Sequence, residues 1–470
     1  MAGFSRLFLR PLFLASLFAI ASSAFLFADD IDDLFSDPES FVVEEAAVIE
    51  DPAGVSTFQS SFVWGGDFTG GLGLNGWYED LVPASDELAD FGDGIDLDLK
   101  ARLWFDARPV RSYRVSGKFQ TEFPLETAEI LELFADFNWN ERLFFRFGKQ
   151  SAGWGVSRFY QIADPLSVGV KDLDDPGADL EGPVALRVSL PLGLNTLYFY
   201  GAVKDSYLSD ASAPRIQDAA FGVKGDFLVT PPKNPILGNG ELTLGAFYQK
   251  NLAPRAVLGY STGFGKLQVF TDQAVYWGLD SAVLEDSLDP AATGWPVPVY
   301  ASSVPDDGLH YAATLGGMYV NSEWKFTAYG EYLFLGWGST DEEYSSRLLT
   351  RYAVEQFNPA LTKTVSTADI GGYSAKHNSA LSLSWSELPF SDEVSAQVLW
   401  TQNWVDGSGM ASPSVTFSPF DYFSIKWGLT AAWGADGREW ILKTGDFTGG
   451  LLVPRRLMGT LAFTLGTGRF

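Results

Sequence analysis

Few residues in this chain have the type and spacing for bond chemistry. There are two histidines, His310 and His377. General acid–base or nucleophilic work at a histidine needs a carboxylate or hydroxyl held beside it. His310 lies in an alternating run with Ala312 and Thr314, and His377 follows a long link near Ser379. Neither has a motif around it beyond that proximity, so no catalytic residue is assigned and the pattern points away from an enzyme. Asp172, Asp174, Gly177 and Asp179 are spaced like part of a calcium loop. Pro176 stands at an expected ligand position, however, and Pro183 falls where the bidentate glutamate would be. A solvated acidic loop is the better reading, with no metal site. No phosphate-cradling or dinucleotide fingerprint is present, so no cofactor is expected. The absence of cysteine excludes disulfides and lipoprotein anchoring.

The side-chain constellation with consequences is electrostatic. Arg102, Arg114, Lys118, Arg142, Arg146 and Arg187 share one parity on neighbouring segments, and Asp96, Asp98, Asp106, Glu122, Glu132 and Asp136 share it too. Along an aqueous lumen, cations facing acids set up a field that tunes ion and solute selectivity. In a filled lumen the same groups would pair across strands and only satisfy one another. Both readings stand on the sequence.

The alternation that aligns these charges is clearest at 95–108. Ile95, Leu97, Leu99, Ala101, Leu103, Phe105 and Ala107 take one face; Asp96, Asp98, Lys100, Arg102, Asp106 and Arg108 take the other. Charge this dense cannot be a packed core, and apolar side chains this regular cannot all face water. Lipid outside and water inside satisfies both.

Period-two runs recur at 113–123, 128–139, 142–150, 183–190, 193–203, 217–229, 240–250, 265–276, 309–320, 323–335, 378–387, 391–404 and 421–433. Weaker ones lie near 55–64, 254–263, 412–418 and 455–465. Tight links at 108–111, 139–142, 190–193, 320–323, 387–391 and 418–421 are separated by long ones such as 65–94, 151–182, 277–308 and 336–377. Strands running up and down in order put the tight turns at one end and the long loops at the other. The predicted fold is therefore all-β, a transmembrane antiparallel barrel of about 16–18 strands with short periplasmic turns and long extracellular loops. Fifteen Trp, 18 Tyr, 37 Phe and 48 Gly with 19% charged residues suit a wall that meets lipid on one side.

Residues 1–28 read as a secretory signal peptide: Arg6 and Arg10, then an apolar run, with cleavage after Ala24 or Ala28. Residues 29–54 form an acidic leader expected to be disordered, and 55–470 the barrel. A net charge of -27 argues against nucleic acid as a partner.

Two passages carry a family resemblance. The chain ends in a strand closed by Phe470, which resembles the assembly signal of outer-membrane barrels, although Phe470 lies out of parity with Leu461, Phe463 and Leu465. Arg142–Gln150, Trp154-Gly155 and Ile162–Pro165 resemble a passage of porin-like outer-membrane families, and the leader with Ile31–Phe35 resembles spirochaete outer-membrane proteins. The resemblance implies a bacterial outer-membrane barrel whose partners are lipid, the barrel-assembly machinery and small hydrophilic solutes, with self-association left open. The expected function is passive diffusion, with loop 151–182 turned inward. That loop would bring Trp154, Asp172, Asp174, Asp175, Asp179 and Glu181 to a constriction. The alternative is a structural or adhesive surface barrel with a plugged lumen.

Overall fold

The computed structural model describes residues 61–81, 94–122, 128–151, 153–166, 182–203, 219–229, 240–250, 252–288, 298–358, 361–366, 369–370, 372–420, 422–448 and 451–467. The signal peptide, the leader with Ile31–Phe35, the acids Asp172, Asp174, Asp175, Asp179 and Glu181, and Phe470 lie outside the described residues.

The sheet begins with β1 (Ser61–Tyr78), β2 (Gly94–Val110), β3 (Tyr113–Glu122), β4 (Ala128–Trp139), β5 (Leu143–Lys149) and β6 (Val184–Leu192). It continues with β7 (Asn195–Val203), β8 (Ala219–Val229), β9 (Gly240–Gln249), β10 (Arg255–Phe264) and β11 (Leu267–Trp277). After a separate hairpin, β12 (Val283–Leu288) and β13 (Val299–Ser303), come β14 (Leu309–Asn321) and β15 (Phe326–Leu335). Helix α1 (Tyr344–Phe357) precedes β16 (His377–Trp385), β17 (Val394–Asn403), β18 (Gly409–Phe420) and β19 (Phe423–Trp433). Helix α2 (Glu439–Thr444) and a small hairpin, β20 (Asp446–Thr448) and β21 (Leu451–Val453), lead to β22 (Leu457–Thr467).

Eighteen of these strands form one antiparallel sheet, and β22 pairs with β1, Leu72 opposite Phe463, so the sheet closes on itself. Closure pairs the sheet's edges, the arrangement that allows strands to cross lipid. Parity then sorts the side chains all the way round. The outer face carries exposed Phe62, Trp64, Leu97, Leu103, Phe147, Phe199, Phe221, Leu244, Leu315 and Trp427. The inner register rows run through the charged residues, as in Arg102 opposite Asp67 and Gln120, and Arg146 opposite Asp136 and Arg187. This is a transmembrane β-barrel at the upper end of the expected strand number.

The longest links fall at one end as expected, with β12–β13, α1, α2 and β20–β21 there; the alternation is broken by the link 230–239 at the tight-turn end and by the short links 123–127, 250–254 and 404–408 at the long-loop end. Two boundaries differ from the sequence reading. β1 runs on to Tyr78 through Gly65, Gly66, Gly70, Gly71 and Gly73. Pairing with β2, joined from Phe68 onward by β22, holds these glycines extended, so the first long link starts only after Tyr78. Arg142 is not on the wall: Asn140 (φ 53°) and Glu141 (φ 55°) turn the chain through the left-handed region, and exposed Arg142 donates its N–H to Trp139 within that turn.

Leu103, midway along β2 and exposed on the outer face, makes the inside–outside assignment testable. Leu103→Arg should lose heat-modifiable mobility on a gel, since a basic residue facing lipid near mid-membrane costs roughly 2–4 kcal/mol. Lys100→Leu, on the lumen face, should fold; equal assembly of both variants would refute the assignment.

Candidate functional site

The chain between β5 and β6 turns into the barrel. Gly155 adopts φ +91°, and a side chain there would strike the carboxylate of Asp272. Where the excursion returns, Gly182 passes so close to the Gln150 carbonyl that a Cβ would sit 1.8 Å from its oxygen. Trp154 lies over the bare backbones of Gly222 on β8 and Gly245 on β9, whose added Cβ atoms would come within 2.9 and 2.8 Å of its ring. Its ring centroid is 5.5 Å from that of Tyr200 on β7.

Two carboxylates seat the segment. Asp272 on β11 accepts the backbone N–H groups of Val156 (2.9 Å) and Ser157 (2.8 Å). Glu331 on β15 accepts those of Arg158, Phe159 (3.2 Å) and Tyr160 (3.0 Å), together with the Tyr329 hydroxyl. The Ser157 and Thr314 hydroxyls are 2.5 Å apart, and the Tyr276 hydroxyl donates to the Ile162 carbonyl at 3.0 Å. Both carboxylates are almost fully buried. Buried charge is tolerated when its lone pairs are taken up; five main-chain donors serve Glu331 and Asp272 Oδ2, while Asp272 Oδ1 has no hydrogen-bond partner among the described residues. Contacts running from β7 to β15 on the face opposite exposed Phe199, Phe221 and Leu244 put residues 153–166 in the lumen.

The ionic residues occupy the adjoining wall. Arg114 pairs with Asp106, and its Nη1 lies 3.6 Å from Asp136. Arg146 grips Asp136 with Nε at 2.7 Å and Nη2 at 3.1 Å, and its guanidinium lies 3.9 Å from the centroid of Phe134. Lys100 meets Glu122 at 3.4 Å, and Arg102 donates to Gln120 at 2.7 Å. Lys118 stands opposite Glu132 in the β3–β4 register, and buried Arg187 opposite Arg146. Asp96 and Asp98 lie on β2 opposite Gly73 and Gly71; their side chains are outside the described set. Of the predicted constriction residues, Trp154 is the one in view, and it lies inside the barrel.

At the long-loop end a second hub ties the loops together. Glu439, at the start of α2, accepts the Ser374 N–H (3.1 Å), the Ser374 hydroxyl (2.8 Å) and the Asn403 amide (3.3 Å), and binds Lys443 at 3.0 Å. Lys443 sits 3.7 Å from the Tyr373 ring centroid, and Tyr373 packs edge-on against Tyr160 of the inward segment. Burial pushes the Tyr373 hydroxyl up, with Glu439 and Glu331 adding to the effect. Burial pulls the Lys443 ammonium down, against the opposing pull of Glu439.

Asp272, Glu331, Thr314, Tyr276 and Tyr373 were not singled out from the sequence. Their one signal is that Asp272 and Glu331 are isolated acids at inward positions among Phe270, Ala274, Tyr329 and Leu333. What they bind is main chain more than 100 residues away, which no spacing encodes. The histidines stand apart from this site: His377 Nδ1 is 2.6 Å from the Tyr332 hydroxyl, and the His310 ring packs edge-on to Trp337.

The class defined so far is a closed transmembrane barrel with an inward segment. Among solved structures, the chain is similar to Pseudomonas aeruginosa OccK3 (OpdO) at 9% identity, covering 87% of this chain and 96% of that one, TM-score 0.46. Acinetobacter baumannii OccAB1 gives 10% identity over 87% and 97%, TM-score 0.46. Pseudomonas aeruginosa OccK2 (OpdF), solved in complex with glucuronate, gives 10% over 86% and 98%, TM-score 0.44. No family model matches the chain, and no curated protein matches it. The barrel rests on its own closed ladder of strand pairs, and no residue role is taken from these structures.

Two measurements probe the site. Glu331→Ala removes the acceptor of three loop N–H groups, and hydrogen bonds to charged groups contribute about 1.5–3 kcal/mol each. Amide exchange at 158–160, followed by mass spectrometry, should accelerate about tenfold or more, since about 1.4 kcal/mol of lost protection is a factor of ten; unchanged exchange would mean the carboxylate does not hold the segment. The second concerns Tyr373. A hydroxyl with a raised folded pKa contributes stability that is complete below the usual tyrosine value of about 10 and is lost as pH rises beyond it. Melting curves should therefore fall more steeply above about pH 10 for the parent than for Tyr373→Phe. Identical slopes would refute this.

Proposed function

We propose that the protein is a bacterial outer-membrane channel, porin-like in operation, through which small hydrophilic solutes diffuse passively past the inward segment 153–166. Its constriction is bounded by Trp154 and the Asp272–Glu331 seat on one side and by the ionic wall on the other. The supporting observation is a difference in exposure between the walls. Inward side chains of β7–β15, such as Asp272, Thr314 and Glu331, are buried beneath the segment. Charged inward side chains of β2 and β3 keep water contact: Lys100 and Arg114 retain about a third of their side-chain exposure, and Glu122 half. About 18 strands also enclose more space than wall side chains alone can fill. The acidic leader and the tight turns then face the periplasm, and the capped loops the exterior. Lipid is the surrounding partner; the terminal Phe470 would be read by the assembly machinery, and association of barrels with one another remains compatible with this reading.

The test is single-channel recording of the refolded full chain in planar bilayers. The parent should conduct, and the double variant Asp272→Ala/Glu331→Ala should show larger, noisier openings as the segment leaves its seat. Arg146→Gln should shift selectivity toward cations, most at low salt, where screening is weakest. If the parent and the double variant are both silent, the structural or adhesive surface reading replaces the channel.

A further inference from the structure

The lumen has a third wall, formed by β16–β19, β22 and β1, which neither the inward segment's carboxylate seat nor the arginine–carboxylate pairs occupy. Its inward face carries little charge: Lys426 is the one ionisable residue at the described inward positions of β16–β19 and β22, and on β1 Asp67 stands opposite Arg102 at the border with the ionic wall. One register row crosses the whole wall. It runs from Ser384 to Gln397, Ser414, Gly428, Thr460 and Asn75. The Thr460 hydroxyl fills the space where Gly428 would carry a side chain, 2.4 Å from an ideal Cβ. All six are half-exposed, whereas Thr401 and Asn403, nearer the capped end, are buried. On the other side of Ser384 the row meets Thr327, two residues before Tyr329, whose hydroxyl accepts the Arg158 N–H of the constriction. The row therefore meets β15 one inward position from Tyr329, beside the seat of the inward segment.

Hydroxyl and primary amide groups each donate and accept. Set on neighbouring strands about 4.8 Å apart, they offer a grid that can exchange hydrogen bonds with a solute's hydroxyls in place of water. Such a wall offers no formal charge to draw an ion out of its hydration shell. On the facing ionic wall three cations sit beside carboxylates, which blunts a preference for either sign: Arg114 with Asp106, Arg146 with Asp136, Lys100 with Glu122.

We propose that this uncharged row is the selectivity track of the channel and that its solutes are neutral and polyhydroxylated, of the sugar or polyol class. The proposal rests on the channel reading above. It is tested with the full chain reconstituted into liposomes and followed by osmotic swelling in glucose, gluconate and glucosamine, beside potassium chloride conductance in bilayers. Glucose should enter several-fold faster than its anionic and cationic relatives of similar size. In the variant Ser384→Val/Gln397→Leu/Ser414→Val/Thr460→Val, glucose entry should fall several-fold while salt conductance changes much less. The single variants Ser414→Val and Gln397→Leu should each lower glucose entry by a smaller factor, which keeps the test decisive if the quadruple variant misassembles. Gluconate or glucosamine entering as fast as glucose, or an unchanged ratio of glucose entry to conductance in the variants, overturns the proposal and leaves the channel standing. A parent that neither conducts nor swells overturns the channel itself.

Discussion

Closing the sheet is the constraint from which everything else in this molecule follows. In lipid an unpaired N–H or C=O costs several kcal/mol, so β1 must find β22 as well as β2. Once it does, alternate side chains are committed to opposite solvents around the whole circumference. A one-residue slip anywhere would turn Phe221 or Leu244 inward and Lys224 or Asp226 outward. The bulge that leaves Leu131 unpaired in β4, and the shift between β2 and β3 near Val110, show where the ladder absorbs irregularity without exchanging faces.

That sorting divides the interior by chemistry. Between β7 and β15 the wall presents mostly small or apolar residues, the Lys224–Asp226 pair, and the acids Asp272 and Glu331 that the inward segment covers. From β2 to β6 it presents paired ions, and from β16 to β1 hydroxyls and amides. The segment goes where its own main chain finds acceptors, and the glycines under Trp154 leave room for the ring.

Much of the architecture was legible because a tilted crossing is longer than an ordinary strand, and period two over about ten residues is hard to imitate. Two of the four weaker runs, 254–263 and 412–418, proved to be β10 and β18. β1 was read short because its glycines look like a loop until two partners hold them. Arg142 kept the parity of Arg146 on paper; the left-handed pair Asn140 and Glu141 takes it out of the strand. The helix and hairpins inside the long links carry no long alternation, so their residues read as loop. The seat was the least legible part: a carboxylate that binds distant amide protons leaves no periodic trace.

The seat at Asp272 and Glu331 grips the backbone of Val156, Ser157, Arg158, Phe159 and Tyr160, apart from the one hydroxyl contact at Ser157. The carboxylate grip is therefore indifferent to what those residues carry, proline excepted, since it has no N–H to offer. Phe159 and Tyr160 add a second kind of hold, because their rings are buried against Tyr329 and Tyr373. Half-buried Val156 and Arg158 are thus the positions of this stretch where a lineage could change a side chain and leave the loop docked.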